Sequence, residues 1–257
     1  MTDPQAHRSL PPAVQEAEYE FPYHYVAQWQ PRFSQCFHDS WGIHYVSTIE
    51  FLLAKLGDLP FESVVDIGCG DGRMSRELAL RFKNRRVLGV DYSERAIGLA
   101  KAMNHDLPQL RFEQLDITAP HPLPGSDAAI LMEVFEHIPP ADAGEFLRGV
   151  HSLLVPGGTL LLTVPHVNHA LEPKHFRHFT AASLSEALEE QFEIVEIIPF
   201  EREGLARKLL NFLLGNRLFI LNQGRLRDWL YRYYKQRLFH VESESSCRRL
   251  FVLARAK

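Results

Sequence analysis

Two stretches of this chain combine residue types at spacings that suit chemistry. The first is Asp66-Ile67-Gly68-Cys69-Gly70-Asp71-Gly72, with glycine at every second position directly after the apolar pair Val64-Val65. Glycines there allow a tight turn and let backbone N–H groups approach a ligand at the start of a following helix, where the helix dipole assists. The spacing reads GxGxG with Asp66 and Asp71 beside it, whereas dinucleotide sites favour GxGxxG and a pyrophosphate would be repelled by those acids. Two further acids end apolar runs: Asp91, in Val90-Asp91-Tyr92-Ser93, can accept hydrogen bonds from both hydroxyls of a ribose, and Asp116 with Ile117 can hold the edge and face of an adenine.

The second stretch is Glu133-Val134-Phe135-Glu136-His137. If it is helical, Glu133, Glu136 and His137 stand at i, i+3 and i+4 and share one face. Four more histidines follow in PHVNHALEPKHFRHFT, namely His166, His169, His175 and His178. Three readings are open. A divalent cation, Mg2+ or Mn2+, held by Glu133, Glu136, His137 and one of His175 or His178 would lower the pKa of a hydroxyl. His137 alone, or with His178, could act as a general base. The two glutamates could instead serve mainly to hold loops and the methionine moiety of a cofactor.

These residues need a scaffold that brings loop ends together. From residue 62 onward β-branched runs alternate with helical stretches, the signature of βαβ units and a parallel sheet. The expected strands are Val64 to Ile67, Val87 to Val90, Leu110 to Leu115, Ala128 to Met132, Thr159 to Val164 and Phe192 to Ile198. Between them, helices are expected at Arg73 to Phe82, after the cap Ser93, at Ala141 to Leu154 and from Thr180. Arg249 to Ala256 reads as a seventh strand after an insertion at about 200–246. Both acid-and-histidine clusters then fall at the carboxyl ends of strands.

DIGCGDG, GVDYS, QLDI and LLVPGGTLLLTVP together resemble the motifs of class I S-adenosylmethionine-dependent methyltransferases, over about residues 62–199. The resemblance implies a doubly wound, seven-stranded Rossmann-like α/β sheet with helices on both faces and an antiparallel last strand. It further implies that Asp66, Gly68, Cys69, Gly70 and Glu133 line the methionine and sulfonium side of S-adenosylmethionine. Asp91 and Tyr92 would line the ribose, and Asp116 and Ile117 the adenine. ExxEH sequences of this kind also occur in small-molecule O-methyltransferases and in bacterial RNA 3'-terminal ribose 2'-O-methyltransferases.

Residues 1–60 carry an aromatic run, Tyr19, Phe21, Tyr23, Tyr25, Trp29, Phe33, Phe37, Trp41 and Tyr45, read as a helical lid over the domain at 61–257 or as packing over its sheet. The charge of −4 over 257 residues argues against a uniformly basic nucleic-acid binder. Cys36, Cys69 and Cys247 form no CxxC pair, which favours a reducing cytoplasm over a disulfide scaffold or a thiolate zinc site. The N-terminal run lacks the apolar core of a signal peptide, and Arg207, Lys208, Asn211, Asn216 and Arg217 interrupt the apolar stretch Leu205 to Leu221, so neither export by that route nor a simple membrane span is expected.

One segment departs from the average. Arg202 to His240 holds nine Lys or Arg residues against Glu203 and Asp228, about +7, with Leu226, Trp229, Leu230, Tyr233 and Leu238 at helical spacing. It reads as a helical lid with solvated charges, as a peripheral membrane surface, or as a site for an anionic acceptor. The sequence expectation is O-methylation of a small-molecule or lipid- or glycan-linked acceptor, with RNA methylation and a catalytically inactive cofactor-binding regulator as alternatives.

Overall fold

The computed structural model describes Tyr19 and residues 22–28, 34–35, 40–215 and 223–257. Of the residues singled out above, Phe21, Trp29, Phe33, Cys36, Phe37, Asn216 and Arg217 lie outside that set. The chain runs through α1 (Ser40–Gly57), β1 (Ser63–Ile67), α2 (Arg73–Arg81), β2 (Arg86–Asp91), α3 (Glu94–Met103), β3 (Leu110–Gln114) and β4 (Ser126–Met132). It continues through α4 (Ala143–Ser152), β5 (Leu154–Pro165), α5 (Ala181–Leu188), β6 (Phe192–Arg202), α6 (Leu205–Gly215), α7 (Gly224–Tyr233) and β7 (Cys247–Ala256).

The seven strands form one sheet in the order β3-β2-β1-β4-β5-β7-β6. β1 to β5 are parallel neighbours, and β7 alone runs against the rest, pairing β5 on one side and β6 on the other. This is the doubly wound α/β sheet with an antiparallel last strand that the motifs imply. The central strands are buried on both faces, so they read as unbroken apolar runs rather than alternating ones.

Successive strand residues feed two cores on opposite faces. Val64, Ile130 and Leu161 pack with Ile49 and Leu52 of α1, Met74 and Leu78 of α2 and Ile97 of α3. Val65, Leu131 and Leu162 pack with Phe146 and Val150 of α4 and Leu184 and Leu188 of α5. α1 therefore forms a wall of the sheet, sharing its core, while Tyr19 and His24 of the residues before it lie by the glycine loop. Helix starts follow local chemistry: Ser93 Oγ caps α3 by accepting from Ala96 N, and Thr180 forms a capping box with Ser183 at α5.

The insertion at about 200–246 is helical, but its apolar stripe divides. Leu230, Tyr234 and Leu238 enter the core, whereas Leu226 and Trp229 stay exposed, and after Tyr233 the helix widens into a π-helical turn over Tyr234–Phe239. Among the described residues, no helix is long and apolar enough to cross a membrane.

Candidate functional site

The glycine loop leaves β1 at the carboxyl edge of the sheet. Gly68, Gly70 and Gly72 all have positive φ, 69°, 55° and 83°, so the turn needs residues without a Cβ. A Cβ at Gly68 would lie 2.6 Å from Val134 Cγ2, which packs the ExxEH segment directly against this loop. Asp66, buried at the strand end, accepts from Ser75 Oγ at 2.5 Å, and burial raises its carboxyl to about 6 against that bond. Cys69 is buried, and burial pushes its thiol well up, leaving it inert packing rather than a nucleophile.

Asp91 ends β2 beside the loop. Its Oδ2 accepts from Gly70 N and its Oδ1 from Ser93 N, both at 2.9 Å, so the carboxylate is held by backbone and keeps lone pairs for further donors. Tyr92 stands exposed next to it. Asp116 is exposed and turns back on Thr118, while Ile117 is buried behind it. These are the places at which the sequence put ribose and adenine contacts.

A strap from the N-terminal segment crosses the loop. His24 donates its backbone N–H to Asp71 Oδ2 at 3.0 Å, stacks on Tyr45 of α1 at 5.1 Å, and accepts from Arg73 Nη1 through its carbonyl. A Cβ at Gly70 would fall 2.8 Å from Tyr19 Oη, and Tyr25 Oη donates to Asn104 Oδ1. Part of the aromatic run thus covers the candidate cofactor loop.

The expectation of a helix through Glu133 to His137 does not hold. Glu133 has φ 55° and still donates its N–H to Thr163 O, and only Phe135–His137 forms a 3-10 turn. The two glutamates therefore part company. Glu133 Oε2 accepts from Arg249 Nε at 2.9 Å. Glu136 is fully buried, neither of its carboxylate oxygens has a hydrogen-bond partner, and burial followed by the nearby Glu133 charge pushes its carboxyl well above the usual range.

Opposite Glu136 stand His137 and His175. One ligand-type atom from each of these three residues lies within 4.8 Å of the others, a grouping that does not include Glu133. Their tautomers follow from their partners. His137 Nδ1 donates to Lys174 O, and His178 Nδ1 donates to His169 O, so His178 Nε2 must accept from His175 Nδ1 at 2.8 Å. In the neutral form of either ring, His137 or His175, the lone pair then sits on Nε2. Burial and the neighbouring His137 lower the His175 pKa to about 3, which keeps it neutral. His178 has both nitrogens engaged and stands behind His175, and His166 is drawn away to Glu244.

Sequence reasoning missed the charges that brace this site. Because β7 runs antiparallel, its first residues reach the carboxyl edge, where Arg249 sits opposite Pro165 and Phe200. Arg249 bonds both Glu133 and Glu201, and the buried Glu201, at φ 59°, also pairs with Arg207 and accepts from Tyr234 Oη. Burial opposes ionisation of Glu201, and the surrounding cations overcome it; His44, 3.4 Å away, is kept neutral by burial, so the arginines carry the pairing. The signal was the pair Arg248-Arg249 opening the apolar run LFVLA. Arg177 was also missed: its guanidinium lies over Phe135 and Phe179, with Nε and Nη2 buried and unpartnered.

Residues 64–158 match the family profile described as methyltransferase domain. Among its relatives, the trans-aconitate 2-methyltransferase of Deinococcus radiodurans is 40% identical over 125 residues, 47% of this chain and 46% of that protein. The ubiquinone biosynthesis O-methyltransferase of Leptothrix cholodnii is 28% identical over 56% of this chain and 64% of its own. The chain thus spans about half to two-thirds of the length of these curated relatives. The fold is shared with the N-methyltransferase NodS of Bradyrhizobium japonicum solved with S-adenosyl-L-homocysteine, at TM-score 0.61, 15% identity, and 96% and 98% coverage of the two chains. It is shared also with a 1,6-didemethyltoxoflavin N1-methyltransferase of Burkholderia thailandensis, at TM-score 0.60, 18% identity, and 100% and 92% coverage.

Proposed function

We propose that this chain is an S-adenosylmethionine-dependent O-methyltransferase whose acceptor presents a hydroxyl group, on a small or lipid- or glycan-linked molecule. The loop fits the cofactor: three positive-φ glycines leave backbone exposed at a helix start, and Asp91 is already oriented by two backbone donors. Asp91 would hold the ribose, Asp116 and Ile117 the adenine edge and face, and Asp66, Gly68, Cys69 and Gly70 the methionine end. The cofactor supplies a methyl group on a sulfonium, so the protein has only to align the acceptor and take up its proton.

One observation carries the choice of acceptor, the buried Glu136 carboxyl without a hydrogen-bond partner grouped with the imidazoles of His137 and His175. A carboxylate acceptor is already ionised near neutral pH and needs no such group. A phenolic or aliphatic hydroxyl does, because its free pKa is about 10 or higher. The cluster also suits a divalent cation, with Glu136 Oε and the Nε2 atoms of His137 and His175 as ligands and His178 and the Lys174 carbonyl fixing the rings from behind. Such a cation would supply Lewis acidity toward the acceptor oxygen. Glu133, turned to Arg249, would act beside this set rather than within it.

The test pairs transfer of labelled methyl from S-adenosylmethionine to phenolic, aliphatic-hydroxyl and tricarboxylate acceptors with Mn2+ titration followed by electron paramagnetic resonance. Turnover on hydroxyl acceptors, lost on chelation and restored by Mg2+ or Mn2+, is the expected result, together with Mn2+ binding lost in Glu136→Gln and His175→Ala. Turnover that survives chelation and is lost in His137→Ala leaves His137 as a metal-free base. Methylation of trans-aconitate alone, indifferent to both substitutions, would overturn the hydroxyl reading.

A further inference from the structure

Beyond the methyl-transfer reading, we propose that the outer faces of α6 and α7 dock the protein on an anionic lipid bilayer. On α6, Leu205, Leu209 and Phe212 are 84%, 59% and 53% exposed at spacings of four and three, a narrow stripe opposite the buried Arg207, Leu210 and Leu214. On α7, Leu226 and Trp229 are 40% and 52% exposed, with Trp229 stacked on Tyr233 at 5.6 Å. Half of the ten large apolar side chains exposed among the described residues therefore fall on these two short helices, a concentration that ordinary surface scatter does not explain.

Charge decides the occupant. Lys208, Arg225, Arg232 and Arg237 are exposed around the same faces, in a chain whose net charge is −4. A two-fold pairing of copies through this surface would bring those cations against their own equivalents, which is unfavourable. A nucleic acid would use the cations and leave Leu205, Leu209 and Phe212 in water. An acidic bilayer satisfies both at once, taking the apolar side chains and aromatic rings at the interface and the guanidiniums among its headgroups. With 11 and 10 residues the helices are too short to span and are suited to lie on the surface.

The surface is tied firmly to the site. Leu210, Leu214, Leu230 and Tyr234 anchor both helices in the core, Lys235 pairs with Glu50 of α1, and Arg207 reaches the same Glu201 that Arg249 holds. Docking by this face would place the carboxyl edge of the sheet beside the bilayer, where a lipid-soluble acceptor is concentrated.

The experiment is co-flotation with phosphatidylcholine vesicles containing increasing phosphatidylglycerol, at low and high salt, together with Trp229 emission, a Trp229→Phe variant separating its signal from those of Trp29 and Trp41. Binding that rises with phosphatidylglycerol, falls with salt and shifts Trp229 emission to the blue is expected. Arg225→Gln with Arg232→Gln should weaken partition by about fivefold per charge, the equivalent of ~1 kcal/mol each. Leu209→Asp with Phe212→Asp, at exposed positions, should abolish it while circular dichroism and cofactor binding stay as in the wild type. No flotation, salt-independent flotation on phosphatidylcholine alone, tighter binding to RNA than to vesicles, or a wild-type dimer dissolved by the Leu209 and Phe212 changes would each overturn the proposal.

Discussion

Asp91 is fixed before any ligand arrives, and that makes its role measurable. Replacing it by alanine leaves Gly70 N–H and Ser93 N–H without their acceptor and, on the proposed reading, would remove the charged acceptor for ribose hydroxyls, each such bond being worth about 1.5–3 kcal/mol. Calorimetry should show S-adenosylhomocysteine affinity reduced by at least about tenfold in a folded Asp91→Ala protein. The buried Glu136 gives a second signature. Its carboxyl titrates well above its unfolded value, so the folded apo-protein binds the extra proton; the stabilisation is complete below the unfolded pKa near 4.3 and is lost as pH rises through the raised one. A cation would replace that proton. Urea midpoints of the metal-free protein should therefore fall with rising pH more steeply than those of Glu136→Gln, and Mn2+ should flatten the wild-type slope.

Between elements, the glycine loop meets the segment after β4 at close range. Gly68→Ala would force a Cβ to within 2.6 Å of Val134 Cγ2 at φ 69°, a combined steric and backbone cost of order 1–3 kcal/mol. Thermal unfolding should show that loss, and Val134→Ala in the same chain should recover part of it. The elements themselves were largely legible: strand runs, the Ser93 and Thr180 caps and the glycine loop are local signals, and local signals survive into the fold. What was not legible was relational. ExxEH spacing suggests a helix, but Glu133 is still held to β5 through Thr163 O, and its turn into positive φ sends it to Arg249, 116 residues away. Glu201 and Arg249, 48 residues apart, meet only because β7 reverses direction, and no periodicity within either strand announces it. The apolar stripe of the insertion was read as one, yet Trp229 and Leu230 are neighbours with opposite environments.

At the scale of the whole molecule, Glu201 is where the parts are joined: Arg207 from α6, Tyr234 from the π-helical turn, Arg249 from β7 and His44 from α1 converge on one carboxylate. Glu201→Ala would take the shared carboxylate from the buried Arg207 and Arg249, leaving them Asn211 and Glu133 respectively, at a cost of about 3–5 kcal/mol, visible as a lowered urea midpoint. Because the Glu201 carboxyl is depressed in the folded state, its contribution is present above the unfolded pKa and lost as pH falls through the folded one, the opposite sense to Glu136. The position of β7 has a consequence for how the protein is made. It lies between β5 and β6, so β6 emerges from the ribosome with no strand to join, and β5 keeps an unpaired flank, until residues 247–256 follow. Glu133 likewise awaits its guanidinium, and Glu201, already paired with Arg207, awaits a second. During translation the growing polypeptide can complete the β1–β5 half first, but Arg249 is delivered only with β7, so the brace of the site waits for residues 247–256 and the exposed flank before them is where a chaperone would be needed.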